Sequence, residues 1–223
     1  MVQNLKGCLN FLGRGSGFSL ENTAAFFDDK KTLTIIDMGY TVFNAIRLKR
    51  DLSQFDIFNV IVTHLHPDHV GSLGQFIMYC KLILNKKVNI YSKCKHLKTY
   101  LEITGTTDDA YTILGDSSDI QFIKTEHIYY LDSYGFKLKV RDKNILYTGD
   151  TCILEPFVEN LDNNVNELYV DVTKNGGIHL KFDEVKEELS KIQNKGIQVY
   201  LMHLDDEDYI RNRLPKGIKL AGE

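Results

Sequence analysis

A short run of metal-binding side chains constrains this chain more than any other part of its sequence. Three histidines and one aspartate fall within six consecutive residues: His64, His66, Asp68 and His69. The preceding Val-Ile-Val predicts a buried strand that ends in His-x-His, with both imidazoles on one side. We expect Pro67 to end that strand and turn the next two side chains toward the same point. Converging imidazole and carboxylate groups suit Zn²⁺ or another first-row divalent ion.

The pattern His-x-His-x-Asp-His after a buried strand resembles that of the metallo-β-lactamase superfamily of metallohydrolases. This resemblance implies three further ligands in a fixed order, namely a histidine, an aspartate and a final histidine. The chain supplies His127, Asp150 and His203, each where a predicted strand gives way to a loop. Loops at strand ends are common positions for site residues in sheet proteins. The resemblance extends from Leu9 to His203, which is nearly the whole chain.

The resemblance also implies how these ligands divide between two metal ions. The first ion would be held by His64, His66 and His127. The second would be held by Asp68, His69 and His203. Asp150 would bridge the two, since a carboxylate can bind two cations through separate oxygens. Two cations lower the pKa of a shared water, and Asp68 is expected to orient or deprotonate that nucleophile. Zn²⁺ is favoured, although the same ligands accept Mn²⁺ or Fe²⁺.

Length and periodicity indicate one α/β domain spanning residues 1–223. No Pro-rich linker or fixed-period repeat divides the 25.6 kDa chain. Strands are predicted at residues 9–11, 24–27, 32–36, 87–91, 120–124, 136–140, 145–147, 168–170 and 198–202. Helices are predicted at residues 41–49, 70–84, 95–103 and 182–193. The resemblance implies a four-layer αββα sandwich with the metals at one edge, and the periodicity permits it.

Within the superfamily, the chain resembles the branch of ribonuclease Z and small phosphodiesterases. The resemblance rests on the Gly-rich loop at residues 13–17, on the Thr-Gly-Asp-Thr around Asp150, and on Asp171 followed by His179. It implies that His179 contacts the scissile phosphate and protonates the leaving oxygen, with Asp171 orienting it. The alternatives are a strand-end carboxylate and a histidine at a helix entry. Amides of the Gly-rich loop and Arg14 are candidate phosphate contacts, and an exposed loop Arg14 is the alternative.

The interval between His127 and Asp150 predicts the substrate class. Ribonuclease Z carries its tRNA-gripping arm there, whereas this chain has room for a plain hairpin. The net charge of −3 supplies no broad basic surface. The sequence therefore predicts a phosphodiesterase for a small or cyclic nucleotide-like phosphodiester, with folded tRNA disfavoured. The alternative is a hydrolase of carboxylic esters, thioesters or lactones at the same metals, which would not need His179. A redox or binding module is a third hypothesis.

The remaining features predict a cytoplasmic protein without a membrane segment. No apolar run approaches the roughly 20 residues that cross a bilayer, and residues 1–6 show no export segment. The cysteines lack Cys-x-x-Cys spacing and are expected to be free thiols: Cys8, Cys80, Cys94 and Cys152. A homodimer is left open.

Overall fold

Two six-stranded sheets form the centre of the computed structural model, which describes residues 7–223. The first sheet contains β1 (Asn10–Gly13), β2 (Ala24–Asp29), β3 (Thr32–Ile36), β4 (Ile57–Ile61), β5 (Val88–Tyr91) and β6 (Tyr111–Leu114). The second contains β7 (Ile120–Thr125), β8 (Ser133–Val140), β9 (Lys143–Tyr147), β10 (Val165–Asp171), β11 (Gln198–Met202) and β12 (Lys219–Leu220). The α-helices are α1 (Val42–Lys49), α2 (Pro67–Val70), α3 (Leu73–Leu82), α4 (Leu97–Ile103), α5 (Glu155–Glu159), α6 (Phe182–Asn194) and α7 (Glu207–Arg211).

Both sheets follow the same plan along the chain. In the first, β1, β2 and β3 are antiparallel neighbours, and β3 to β6 continue as parallel neighbours. In the second, β7, β8 and β9 are antiparallel, and β9 to β12 are parallel. Parallel strands end at a common edge, which is where sheets of this kind bind ligands. The loops after β3, β4, β9, β10 and β11 therefore open at the carboxyl ends of their sheets.

Three separate apolar clusters show that the structure has four layers. One cluster joins the first sheet to α1, α3 and α4, and another joins the second sheet to α5, α6 and α7. The third lies between the sheets. On β11, Val199 and Leu201 enter the outer cluster, while Tyr200 and Met202 enter the inner one. This alternation follows from the two-residue repeat of a strand. The architecture is the αββα sandwich expected from the sequence.

Several element boundaries agree with the sequence predictions. The helix predicted at residues 70–84 is present as α3, but its start is wrong, because Val70 ends the separate helix α2 and the two are separated at Gly71 and Ser72. The Ser72 amide donates to Met38 O at 2.8 Å, and its hydroxyl donates to Gly39 O at 2.6 Å. These bonds tie the chain to the loop after β3 and interrupt the helix. The short elements β6, α5, α7 and β12 were not predicted.

Among residues 7–223, no helix is long and apolar enough to cross a bilayer. Residues 1–6, for which the sequence predicts no export segment, lie outside the described residues.

Candidate metal centre

The loop after β4 brings His64 and His66 together, although neither lies in the strand. β4 ends at Ile61, so the prediction that the strand itself ends in His-x-His is wrong. The chain stays anchored past the strand because Asp37 accepts hydrogen bonds from the amide and hydroxyl of Thr63, each at 2.9 Å. The two imidazole centroids are 4.7 Å apart. The predicted convergence is therefore present, but the loop rather than strand geometry produces it.

Pro67 begins a helix, which turns the next two ligand candidates back toward the loop. It occupies the first turn of α2, where its missing amide hydrogen costs nothing because that group has no intrahelical partner. Asp68 and His69 follow in the same turn. The Met38 amide donates to His69 O at 2.6 Å and fixes this turn against the first sheet. The chain therefore turns at Pro67 as predicted, and it does so because α2 begins there.

The first set of ligand atoms contains three imidazoles and one carboxylate. His64 Nε2 lies 3.0 Å from His66 Nδ1, which lies 3.1 Å from His127 Nε2. Asp150 Oδ2 is 3.7 Å from His64 Nε2 and 3.9 Å from His127 Nε2. These four groups could hold a metal ion.

The second set shares Asp150 with the first. His69 Nε2 and His203 Nε2 each lie 3.3 Å from Asp150 Oδ2, and each lies 3.3 Å from Asp68 Oδ2. These four groups could also hold a metal ion. Oδ2 of Asp150 faces both sets of nitrogens.

The donor sets fit divalent metal ions on two independent observations. Zn²⁺ bonds of about 2.0–2.1 Å in tetrahedral geometry place neighbouring ligand atoms roughly 3.3 Å apart, close to the spacings found in both sets. His69 Nε2 is buried and has no hydrogen-bond partner among the described residues. A buried polar atom without a partner costs free energy, and a bound cation would supply that partner.

Neighbouring groups orient the metal-facing nitrogens through the other ring nitrogen. His69 Nδ1 lies 2.8 Å from Asp37 Oδ2, and His127 Nδ1 lies 2.8 Å from Ile178 O. Both partners are acceptors, which assigns the proton to Nδ1 and leaves Nε2 free for a metal. Asp37 is a functional residue that the sequence reasoning missed. Its position directly after the predicted strand at residues 32–36 could have identified it, because the predicted ligands also follow strands.

Asp171 and His179 meet beside the metal centre, as the resemblance implies. His179 Nδ1 lies 2.8 Å from Asp171 Oδ2, and His203 Nδ1 lies 3.4 Å from Asp171 Oδ1. Asp171 also accepts a hydrogen bond from the Thr151 amide at 3.0 Å. With Asp150, these residues form a third set that could hold a metal. The direct imidazole–carboxylate hydrogen bond instead favours an oriented His179 with Nε2 left for another partner.

Burial and nearby carboxylates shift the pKa values of the histidines in opposite directions. Burial lowers the pKa of His64 well below its usual value, and it also lowers the pKa of His66 and of His127. Burial lowers the pKa of His203 too, but Asp150, Asp171 and Asp68 together outweigh burial and raise the value to about 10. The three imidazoles of the first set are therefore uncharged and able to bind a metal, while Asp150 carries a negative charge. In the second set, His203 holds a proton that a cation would displace.

Part of the Gly-rich loop is engaged in contacts within the protein, while Gly17 lies beside Asp68, so phosphate contacts from the remaining amides stay a prediction. The Gly15 amide donates to Glu21 O, and the Ser16 amide donates to Leu204 O. Arg14 forms an ion pair with Glu207, with Nε 2.9 Å from the carboxylate, and donates to Ala221 O at 2.8 Å. Arg14 is paired and half-buried, so the alternative of an exposed loop arginine is wrong, whereas a phosphate contact from Arg14 stays a prediction. These bonds pack the loop against the segments after β11 and β12.

A cavity of about 570 Å³ opens over the ligand residues. Its lining includes His66, Asp68, Asp150, His179 and His203. This volume is typical of a small-molecule site. The lining also includes three aromatic or apolar residues that were not among the predicted site residues: Phe18, Tyr40 and Ile178.

Sequence comparison places the chain beside phage and bacterial proteins. The family model described as Anti-Pycsar protein Apyc1 matches residues 8–99 and 92–214. The protein of that name from Bacillus phage 010DV004 is 24% identical over 238 residues, covering 90% of this chain and 91% of the relative. The relative from Paenibacillus harenae is 24% identical over 223 residues, covering 89% and 90%.

Comparison of structures confirms the fold. The metallo-β-lactamase fold protein YhfI from Bacillus subtilis superposes with a TM-score of 0.76 at 18% identity, covering 96% of this chain and 95% of that one. Human tRNase Z, short form, gives a TM-score of 0.67 at 16% identity, covering 88% and 92%. At these identities the likeness shows the fold alone, which is the predicted metallo-β-lactamase fold.

Proposed function

The chain belongs to the Anti-Pycsar protein Apyc1 family and is a metal-dependent phosphodiesterase, and we propose that it hydrolyses a cyclic mononucleotide at two divalent metal ions. Proteins of this family degrade cyclic nucleotides. One observation carries the two-metal part of the proposal: two sets of ligand atoms meet at Asp150, beside His179.

The proposed ligands divide as the geometry groups them. The first ion would be held by His64, His66 and His127, the second by Asp68, His69 and His203, and Asp150 would be a ligand of both. When bound, the two cations supply Lewis-acid activation of water and neutralise charge on the phosphate. Zn²⁺ is the proposed metal because imidazole and carboxylate groups at these spacings suit it. Mn²⁺ and Fe²⁺ are alternatives that the same groups accept.

The protein's own residues handle the protons. Asp68 lies at the cavity with its side chain partly exposed, and we assign it the orientation or deprotonation of the attacking water. His179 lines the same cavity, and Asp171 holds its Nδ1. His179 Nε2 is then the nitrogen that donates a proton to the leaving oxygen. Asp171 is a positioning residue because it acts through His179.

The dimensions of the site support a small substrate. The interval between His127 and Asp150 contains the antiparallel pair β8 and β9, joined by the tight turn at Arg141 and Asp142. No arm extends from this hairpin among the described residues. A cyclic mononucleotide can fit the cavity of about 570 Å³.

We extend the proposal to a single cytoplasmic domain of residues 1–223. All four cysteines are free thiols, and Cys80 and Cys94 are buried. Free thiols suit a reducing compartment.

Activity of the full chain with restored metal tests this function. We expect stripped protein supplied with Zn²⁺, Mn²⁺ or Fe²⁺ to convert 3′,5′-cyclic nucleotides into linear monophosphates. Bis-p-nitrophenyl phosphate, p-nitrophenyl acetate and a thioester serve as comparison substrates. His96→Ala is a matched control, since His96 is exposed and lies outside the site. Turnover of the acetate or thioester with none of the cyclic nucleotides would overturn the proposal in favour of an ester hydrolase.

A further inference from the structure

Two aromatic residues line the cavity over the metal centre, and the chemistry described above does not use them. Phe18 is fully exposed and Tyr40 is 58% exposed, yet both line the cavity that contains Asp68 and His179. Isolated exposed apolar residues are common on proteins. Two aromatic rings that share a concave site with charged groups instead indicate a ligand surface.

The backbone holds Phe18 close to the ligand carboxylate. The Ser19 amide donates to Ser16 O at 3.0 Å, which closes a four-residue turn with Phe18 in its third position. The Ser16 amide donates to Leu204 O at 3.0 Å and anchors the turn to the segment after His203. A Cβ added to Gly17 would lie 3.0 Å from Asp68 Oδ2. Phe18 therefore directly follows Gly17, which lies beside the carboxylate of Asp68.

Packing holds Tyr40, another residue of the cavity lining, against the end of α2. A Cβ added to Gly71 would lie 2.5 Å from Cδ1 of Tyr40, so the ring occupies the space that a side chain at Gly71 would need. Gly71 directly follows α2, the helix that carries Asp68 and His69. The Tyr40 ring thus rests against the element that supplies two of the proposed ligands.

We propose that Phe18 and Tyr40 are the base-binding surface of the site, on which the nucleobase of the cyclic nucleotide stacks. The inference rests on the proposed function, which places the phosphate at the ligand residues. In a mononucleotide one sugar ring separates the phosphate from the base, so the base must lie near the rim of this cavity. Aromatic side chains bind bases through the π-face that every base possesses.

Two polar residues that line the cavity, Asp205 and Thr173, are already hydrogen-bonded within the protein, which leaves the rings as the main contact. Asp205 accepts hydrogen bonds from the Lys174 amide at 2.7 Å and from Asn175 Nδ2 at 3.3 Å. Thr173 Oγ1 accepts one from the Gly176 amide at 2.9 Å. Recognition of the base therefore depends on ring overlap, which is larger for a purine than for a pyrimidine.

Steady-state kinetics on three cyclic phosphates test the assignment. The substrates are adenosine 3′,5′-cyclic phosphate, uridine 3′,5′-cyclic phosphate and the cyclic phosphate of methyl riboside, which has no base. We expect Phe18→Ala to raise KM for the adenosine compound roughly 10-fold or more, and for the uridine compound less, with kcat little changed. The baseless substrate should be unaffected. Phe18→Tyr should restore the wild-type KM, and Tyr40→Ala should act in the same direction as Phe18→Ala.

Leu20→Ala is the matched control, since Leu20 is 94% exposed in the same loop but does not line the cavity. An unchanged KM in Phe18→Ala, or an equal loss on the baseless substrate, would overturn the stacking assignment alone. An equal loss in Leu20→Ala would also overturn it, because the whole loop would then be a surface covered by another protein chain. A wild-type chain inactive on all three substrates would overturn the proposed function, and the stacking assignment with it.

Discussion

Asp37 Oδ2 accepts a hydrogen bond from His69 Nδ1 at 2.8 Å, and both side chains are buried. The backbone of Asp37 adopts a positive φ of 60°, and its other oxygen accepts from the Thr63 amide at 2.9 Å. One carboxylate therefore fixes the start of the loop that carries His64 and also orients His69. Burial lowers the pKa of His69, but Asp150 and Asp37 together outweigh burial and raise it well above its usual value.

Asp37→Asn is expected to weaken binding of the second metal roughly 10- to 100-fold, because the amide removes the charge that orients and polarises His69. Metal titration against a chelating indicator measures this affinity. Asp51→Asn is the control, since Asp51 is an exposed carboxylate that caps the short 3-10 helix Leu52–Gln54 and belongs to none of the ligand sets. Equal affinities in Asp37→Asn and wild type would show that Asp37 only holds the loop.

The shared position of Asp150 predicts an unequal effect of two ligand substitutions. Asp150→Ala should lose both metal ions, because Oδ2 faces both sets of nitrogens. His203→Ala should mainly weaken the second ion, since His203 belongs to one of the two sets. Elemental analysis of freshly purified, unchelated protein gives the counts. One ion or none in the wild-type chain would contradict the dinuclear centre.

His179→Ala is expected to retain its metal content and to lose roughly 100-fold or more in kcat on a diester with a poor leaving group. The loss should shrink with a nitrophenyl leaving group, which departs without needing a proton. Asp171→Asn should also reduce kcat more on the diester with the poor leaving group than on the nitrophenyl diester, because Asp171 acts through His179. Loss of metal in His179→Ala, or unchanged rates with both leaving groups, would refute the general-acid role.

The sequence predicted those parts of the fold that depend on local pattern. Strands β3 and β11 have the bounds expected from their apolar runs, and α6 ends near Gly196, whose φ of 93° suits a helix terminus. The break between α2 and α3 was missed because its cause is long-range. The Ser72 hydroxyl donates to Gly39 O, 33 residues earlier in the chain.

The same limit explains which site residues the sequence could supply. His64, His66 and Asp68 stand out because they are close together in the chain. Asp37 was missed because its partner His69 lies 32 residues away. Arg14 was misjudged because Glu207, which neutralises it, lies 193 residues away. A local pattern, such as an acidic residue directly after a strand, does not show which distant residue the side chain will meet in the folded chain.

A second buried carboxylate predicts an acid-dependent stability that is separate from the metal centre. Glu167 is 2% exposed and accepts hydrogen bonds from Lys143 Nζ, Tyr169 Oη and the Cys8 amide. Burial raises the pKa of Glu167, but the hydrogen bond from Lys143 and the others outweigh it and lower the pKa from its usual 4.5. A lowered pKa stabilises the folded state above about pH 4.5, and this stabilisation is lost as the pH falls below that value.

Glu167→Gln should therefore lower the free energy of unfolding by about 1–3 kcal/mol at pH 7, with a difference from wild type that shrinks below pH 4.5. Urea unfolding across pH 7 to 4, with chelator present throughout, measures both effects. Glu159→Gln is the control, because Glu159 is exposed at the end of α5 and should change stability by less than about 0.5 kcal/mol. A difference that stays constant with pH would show that packing, not charge, is responsible.

The short hairpin after His127 predicts that folded tRNA is not the substrate. β8 and β9 occupy the interval where the resemblance to ribonuclease Z implies a tRNA-gripping arm, and the net charge of −3 offers no broad substitute. Affinity for nucleic acid normally rests on many Lys or Arg contacts to phosphate, which weaken with salt. Here Arg14 is paired with Glu207, and Lys137 is paired with Asp162.

Competition measures this prediction directly. Cleavage of a small nitrophenyl diester in low salt should be unaffected by precursor tRNA at micromolar concentration, because few unpaired cations face the cavity to hold a polyanion. A homodimer whose partner chain supplies a basic wall would instead give strong inhibition that disappears with added salt. Accurate release of the tRNA 3′ trailer would contradict the prediction outright. Either outcome would show that the substrate contacts a surface larger than the cavity of about 570 Å³ over the metal centre.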